Sequence, residues 1–320
     1  MSFQKRTEQT RWGFHGRVSG TAVVHRGCVQ VGREVVAGMG GDAPWKDLQV
    51  QREFSATEVA DGVAAVREVL KAHAGVAKPK KGWRLPASAP ATPDDVFLRK
   101  FFFTELGDVK KAAKRYVKYW VTRERLFGPG GEASLGPDEK RGVDVAMRKG
   151  YIGIVSGAYD AAGRAVFVGQ PGKLDAKRTK SYTKIDMVRA SWIVLHVAMQ
   201  DERAAKHGVR VVVNASDGKM REVNRDQDNQ IIDMIQSVLP LRAGPIDICW
   251  PPGFFAWLWP IICLFLNKQT KSMVDIHTSK DKAKIMAKLQ RRGLTPDLVP
   301  PLFGGKAAYD HAAWCDAHPV

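Results

Sequence analysis

Cysteine is scarce in this chain. Cys28, Cys249, Cys263 and Cys315 are the only four in 320 residues, with no CxxC pair and no regular ladder of spacings. That pattern argues against a disulfide framework or a cysteine zinc site and predicts the reduced thiols of a cytosolic protein. The phosphate cradles are missing as well: no GxGxxG follows an apolar run and no GxxxxGK[ST] occurs, which removes the usual dinucleotide and P-loop sites. Neither HExxH nor GxSxG is present, so Ser191 and Ser216 sit in no nucleophile elbow. The eight histidines are dispersed, and His196, in an apolar helical stretch, reads as a satisfied core or pocket residue. Asp226 and Asp228, in "NRDQDNQ", read as solvated or capping groups before a helix. These absences point to a binding protein without enzymatic activity, metal or cofactor. The basic amino terminus has no apolar run after it, so no secretory signal is expected.

Positive charge is plentiful. Lys and Arg number 50 against 33 Asp and Glu, a formal net charge of +17. An anionic partner is implied, and phosphate-rich membrane surfaces and nucleic acids both qualify. The length and the 44% hydrophobic content allow a substantial core, in one large domain plus a smaller one or two.

Residues 1–54 are rich in Gly, Val and Arg and read as a basic, disordered extension, with a small hairpin as the alternative. From Ser55 the pattern turns helical. Ser55 and Glu58 form a capping box, and Val59, Val63, Val66 and Leu70 recur at helical spacing. Two further helices follow, divided at Gly107, the first started by Thr92 and Pro93 and the second capped by Asp108. These helices make a lobe over 55–128, a Gly/Pro-rich linker follows over 129–137, and a second domain over 138–306 precedes a tail, 307–320.

In that second domain the order becomes mixed. A short helix leads to two β-like runs about an Asp160–Gly163 turn; then "SYTKIDMVRASWIVLHVAMQDERAAKHG" predicts one long helix stopped at Gly208. "VRVVVN", "GPIDIC" and "SMVDIH" read as strands, alternating with helices at 229–240, 254–266 and a final one at 281–292. Alternation of this kind predicts an α/β layer with a mixed, mainly parallel sheet behind a helical amino-terminal lobe.

One stretch resists an ordinary reading. Between Phe254 and Leu266, within "WPPGFFAWLWPIICLFLNKQTK", there is no charged side chain. Thirteen residues make about 20 Å of helix, too short for a bilayer core that needs about twenty residues. Phe254, Trp257, Leu258, Ile261, Ile262 and Phe265 form one face and Phe255, Trp259, Cys263 and Leu266 the other, so both faces are apolar. Two readings stay level: a buried core helix, or a helix that lines an apolar cavity on one side and touches lipid on the other.

The order and wording of four segments resemble the CRAL-TRIO family of lipid-transfer proteins. "DDVFLRKFFFTELGDVKKAAKRYVKYWVTRER" is similar to the family's amino-terminal helices, and "KGYIGIVSGAYDAAGRAVFVGQPGKLDA" to its opening strands. "PPGFFAWLWPIICLFLNKQTKSMVDIHTS" resembles the hinged gate helix with its following strand, and "LTPDLVPPLFGG" the closing phrase. The resemblance runs from about Ser55 to Gly305. It implies a cytoplasmic, reversibly membrane-associated monomer that binds a hydrophobic lipid or phospholipid in an internal pocket and transfers it between membranes.

Carried over residue by residue, the resemblance assigns ligand contact to Val188, Ser191, Trp192 and Leu195 of the long helix and to Val211 and Val213 of the next strand. On the gate it assigns ligand contact to Trp257, Leu258, Ile261, Ile262 and Phe265. Phe255, Trp259, Lys268 and Lys271 would touch the membrane. Net charge, rather than the resemblance, nominates Lys111, Lys114, Arg115 and Lys118, or the basic residues of 280–292, to hold an anionic surface. The departures bear on the ligand. Cys263 stands where phosphatidylinositol carriers have a lysine, and Leu241 where they have a glutamate; Gln269 and Met273 replace the basic pair of tocopherol carriers, and Asn214 and Ser216 replace acidic residues at a strand end. A lipid-sensing scaffold without net transfer is one rival reading. A basic nucleic-acid-binding protein is another, although no recognisable nucleic-acid module is present.

Overall fold

The computed structural model describes residues 53–74, 82–173, 181–220 and 225–320. The expectations for residues 1–52, and for Cys28, lie outside them.

Ser55 and Glu58 open α1 (Ala56–Ala74) by a reciprocal pair. Ser55 Oγ accepts from the Glu58 N–H at 3.2 Å, and Glu58 Oε2 accepts from the Ser55 N–H at 2.9 Å. α2 (Asp95–Thr104) starts later than Thr92–Pro93 predicts, because the Asp94 carboxylate caps it, accepting from the Phe97 N–H at 2.8 Å. α3 (Val109–Phe127) is capped by Asp108 as expected. The link between α2 and α3 turns through left-handed Leu106 and Gly107. The three helices enclose an aromatic cluster in which Phe97 meets Phe101, Tyr116 and Tyr119 edge-on at 5.1 to 6.1 Å.

α4 (Pro137–Arg148) leads into β1 (Ile152–Tyr159) and β2 (Ala165–Gly169), an antiparallel pair around the predicted turn. The long helix expected next is two helices. α5 (Lys184–Ala198) ends at Met199, and α6 (Glu202–His207) starts afresh because Asp201 caps it, its carboxylate accepting from the Ala204 N–H at 3.0 Å. β3 (Val209–Asn214), α7 (Arg225–Asp233) and β4 (Ala243–Cys249) follow, and α7 runs on into a π-helical turn, Met234–Val238. The apolar stretch forms only a short helix, α8 (Phe255–Ile262), rather than the whole of 254–266. The polar residues after it make α9 (Lys268–Ser272), then β5 (Val274–His277) and α10 (Lys282–Arg291). α10 is not the last helix. α11 (His311–Ala317) buries Trp314 and Cys315 within the expected tail and packs on α4.

The sheet has the order β1-β2-β3-β4-β5, and every pairing beyond the first is parallel. Its two faces carry different chemistry because side chains alternate along each strand. Phe167, Val209 and Val211 face the α5 and α7 side, where they join the core shared with the amino-terminal helices. Val166, Val168, Val212 and Cys249 face α10 and the closing segment, with Ile285, Leu289, Val299 and Phe303.

On that second face lies a buried charge network. Arg210 Nη2 donates to Asp247 Oδ2 at 2.8 Å, His277 Nε2 donates to Asp247 Oδ1 at 2.9 Å, and Arg292 pairs with both Asp247 and Asp275. Arg164 donates to Asp160 at 2.6 Å beside Arg210. Asp247, Asp275 and His277 bring three metal-type ligand atoms within 4.8 Å. Two arginines already compensate those carboxylates, so the cluster reads as an ion-pair network that ties α10 to the sheet.

Candidate functional site

A cavity of about 220 Å³ opens at the carboxyl ends of β3 and β4, the position at which α/β sheets commonly receive ligands. Val213 and Ala215 from β3 and its exit form the floor together with Ile248 of β4. Ile231 and Ile232 of α7 make one wall. α8 lies across the mouth, with Phe255, Leu258 and Ile262 turned inward and Phe254 and Pro252 at its entry. Spacings of three and four residues put the three inward side chains on one helix face. Tyr151, Lys219 and Asp228 supply polar groups to an otherwise apolar lining. Burial raises the Tyr151 hydroxyl well above the ordinary tyrosine value, and the Asp228 charge adds to this, so the phenol stays protonated and can donate a hydrogen bond.

Of the residues anticipated from sequence, the structure brings Val213, Leu258 and Ile262 to this cavity. Trp257, Ile261 and Phe265 do not line it. Trp257 is 57% and Phe265 41% exposed. Phe255, anticipated at the membrane, lines the cavity instead and stacks on Trp259, ring centroids 5.7 Å apart. Because both faces of α8 are apolar, no polar stripe in the sequence fixes its rotation, and the contact with α7 and the strand ends sets it.

The α5 residues take another place. Val188, Trp192 and Leu195 are buried in the core shared with the amino-terminal helices. Trp192 packs on Tyr119 and Phe127 and donates through Nε1 to Glu132 at 3.2 Å. Ser191 donates to the Met187 carbonyl at 2.9 Å and borders a separate void of about 10 Å³, room for at most one water. Val211 is half-buried against the same core. Sequence reasoning missed Ile231, Ile232, Ile248 and Tyr151. The adjacent isoleucines of "NQIIDMIQ" and the inward alternation of Ile246 and Ile248 were the available signals.

α8 is bounded differently at its two ends. At its entry Trp250 adopts a left-handed φ of 52°, donates its N–H to the His277 carbonyl at 2.8 Å and stacks on Phe303 at 6.0 Å. Pro251 and Pro252 bring no N–H to the link, and Gly253 has open space around it. At its exit Leu264 is 79% exposed beside Phe265, followed by exposed Lys268 and half-buried Lys271. Pro260 sits inside the helix, where it removes one backbone donor.

Two of the basic residues expected at a surface are engaged internally. Arg115 pairs with Glu105 and donates to the Leu239 and Gln236 carbonyls, and Arg292 belongs to the buried network. Lys118 donates to Ser237 at 3.0 Å, and Lys111 pairs with Asp108 at 2.9 Å. Lys114, Lys282, Lys284 and Lys288 remain exposed. Among the described residues no helix is long and apolar enough to cross a membrane.

Residues 148–305 match the family model described as the CRAL/TRIO domain. No curated protein matches the chain. Among solved structures, the crystal structure of Sfh5 aligns over 84% of this chain and 95% of that one, at 14% identity and a TM-score of 0.49. Over residues 148–305 the chain thus resembles the CRAL/TRIO domain. Its mixed α/β architecture, helices flanking a mainly parallel five-stranded sheet, accords with that family.

Proposed function

We propose that this protein takes an apolar lipid into the cavity beneath α8 and carries it between membranes, with α8 as the gate. The observation that carries the reading is that one short helix closes an apolar cavity with Phe255, Leu258 and Ile262 while exposing Trp257 on its outer side, with Leu264 and Phe265 exposed just beyond its end. A surface helix that is greasy on both sides suits an element that meets ligand on one face and bilayer on the other. Moving an acyl chain through water costs about 0.8 kcal/mol per CH₂, so transfer is efficient only if the gate opens while docked.

The lining is apolar apart from three groups, the Tyr151 hydroxyl, the Lys219 cation and the Asp228 carboxylate, which are within reach of a polar lipid end. Cys263 and Leu241, which stand where phosphatidylinositol carriers have a lysine and a glutamate, do not line the cavity. At about 220 Å³ the cavity lies below the roughly 300–1,000 Å³ usual for drug-sized ligands, so a full lipid requires α8 to move outward. The membrane-facing groups are then Trp257, Leu264 and Phe265, with Lys268 and Lys271 at the anionic headgroups, where each cation contributes about 1 kcal/mol.

Native mass spectrometry of the purified protein tests ligand binding, and a co-purified lipid is the expected result. A vesicle-to-vesicle assay with fluorescent lipid tests carriage. Capture of lipid without net delivery to acceptor vesicles would replace the carrier by a lipid sensor, and salt-sensitive binding to DNA without vesicle binding would sink both.

A further inference from the structure

Gln236, in the π-helical turn after α7, clasps the exit of α8 with both ends of its side-chain amide. Nε2 donates to the Phe265 carbonyl at 3.0 Å, and Oε1 accepts from the Asn267 N–H at 2.8 Å. These two backbone groups flank Leu266, at the joint between α8 and α9. A two-point amide clasp on a backbone joint fixes its orientation as well as its position.

The base of the clasp is anchored to the amino-terminal lobe. Arg115 of α3 donates through Nη2 to the Gln236 carbonyl at 2.7 Å and through Nη1 to the Leu239 carbonyl at 2.8 Å, while its Nε pairs with Glu105. Lys118 holds the neighbouring Ser237 at 3.0 Å. A π-helical turn is a rare local widening that is frequent at functional positions. Here the carbonyl of its third residue faces α3 and the side chain of that same residue reaches the exit of α8.

The two ends of α8 therefore have different mechanics. At the entry, left-handed Trp250 is pinned by Phe303 and His277, and the following prolines and unencumbered Gly253 leave a link with few bonds to break. At the exit, half-buried Gln236 makes two hydrogen bonds that water can replace at modest cost.

We propose that Gln236 is the latch of the gate: α8 opens when the Gln236 bonds to Phe265 and Asn267 are exchanged for water, and it swings about the 250–253 link. Gln236 is a positioning residue that touches no ligand. The proposal rests on the reading of α8 as the gate.

Hydrogen–deuterium exchange of the full chain without lipid tests it. Gln236→Ala should speed exchange of the amides of 255–267 about tenfold, the worth of two solvent-accessible hydrogen bonds, with α10 and β3 unchanged and no change in melting temperature. Gln236→Glu keeps an acceptor for the Asn267 N–H but loses the donor to Phe265, so its effect should be intermediate. Capture of nitrobenzoxadiazole-labelled phosphatidylcholine from phosphatidylcholine/phosphatidylserine vesicles should accelerate in the same order. Unchanged exchange at 255–267 would overturn the latch, as would an increase spread over all segments with a lowered melting temperature. Faster exchange confined to the gate, with no labelled lipid captured by either protein, would leave the latch standing and remove the carrier reading.

Discussion

Arg210 Nη2 lies 2.8 Å from Asp247 Oδ2, and neither side chain is reached by solvent. The pair sits mid-sheet, on the face opposite the cavity, and Arg292 and His277 complete the coordination of the same carboxylate. Asp247→Asn removes the charge that two buried arginines require, and a loss of about 3–5 kcal/mol is expected in urea denaturation.

The same carboxylate predicts an acid transition. Burial pushes the Asp247 pKa up, but the His277 hydrogen bond and the Arg210 and Arg292 charges outweigh it and hold the group at about 2, below the ordinary 3.8. The folded state thus binds this proton less readily than the unfolded chain. The stabilisation is complete above about pH 4 and is lost as the pH falls toward 2. The stability gap between the natural chain and Asp247→Asn, measured by urea midpoints, should narrow over that interval.

The exposed residues at and beyond α8 allow membrane contact, if α8 is the gate we propose, to be tested apart from cavity contact. Trp257→Asp with Leu264→Asp should weaken association with anionic vesicles at least tenfold, since each apolar side chain contributes about 1.5–3 kcal/mol on insertion. Melting temperature should hold, because both residues are already in water. Phe255→Asp should instead lower stability, since that ring lines the cavity and stacks on Trp259. Co-sedimentation with vesicles alongside thermal melts distinguishes the two classes.

Filling the cavity should block the ligand while sparing the fold. Val213 lines it and packs its methyl groups over Gly169 of the neighbouring strand. Val213→Phe places a ring in the cavity and should reduce lipid capture severalfold, read by native mass spectrometry, with a stability change within about 1–3 kcal/mol.

Trp192 tests whether α5 is pocket or core. Trp192→Ala should cost about 3–5 kcal/mol, as expected for a buried aromatic that packs on Tyr119 and Phe127. Lipid capture by the protein that remains folded should be unchanged. Selective loss of capture without destabilisation would return α5 to the pocket wall.

Local signals determined a good deal of this protein. The Ser55–Glu58 box and the Asp108 cap are visible in the sequence because each is settled within four residues. The strand "VRVVVN" was legible because a parallel strand covered on both faces reads as an apolar run, and the alternation of "GPIDIC" and "SMVDIH" with helices gave the layer architecture. The break at Met199–Asp201 was less legible, since the apolar periodicity of α5 hides the competing cap at Asp201 until the chain is folded.

The candidate site depended on contacts that no local pattern encodes. Which face of α8 turns inward, and hence that Phe255 rather than Trp257 meets the cavity, follows from packing against Ile231, Ile232 and the strand ends. The sequence states only that α8 is apolar all round. Tertiary packing also consumed the inward face of α5 in core contacts and joined Arg115, Gln236 and Asn267 across 152 residues of chain. Composition and periodicity therefore settled most of the elements and the apolar character of α8, whereas the cavity wall and the Gln236 contacts at the exit of α8 arose only once distant segments were brought within hydrogen-bonding distance.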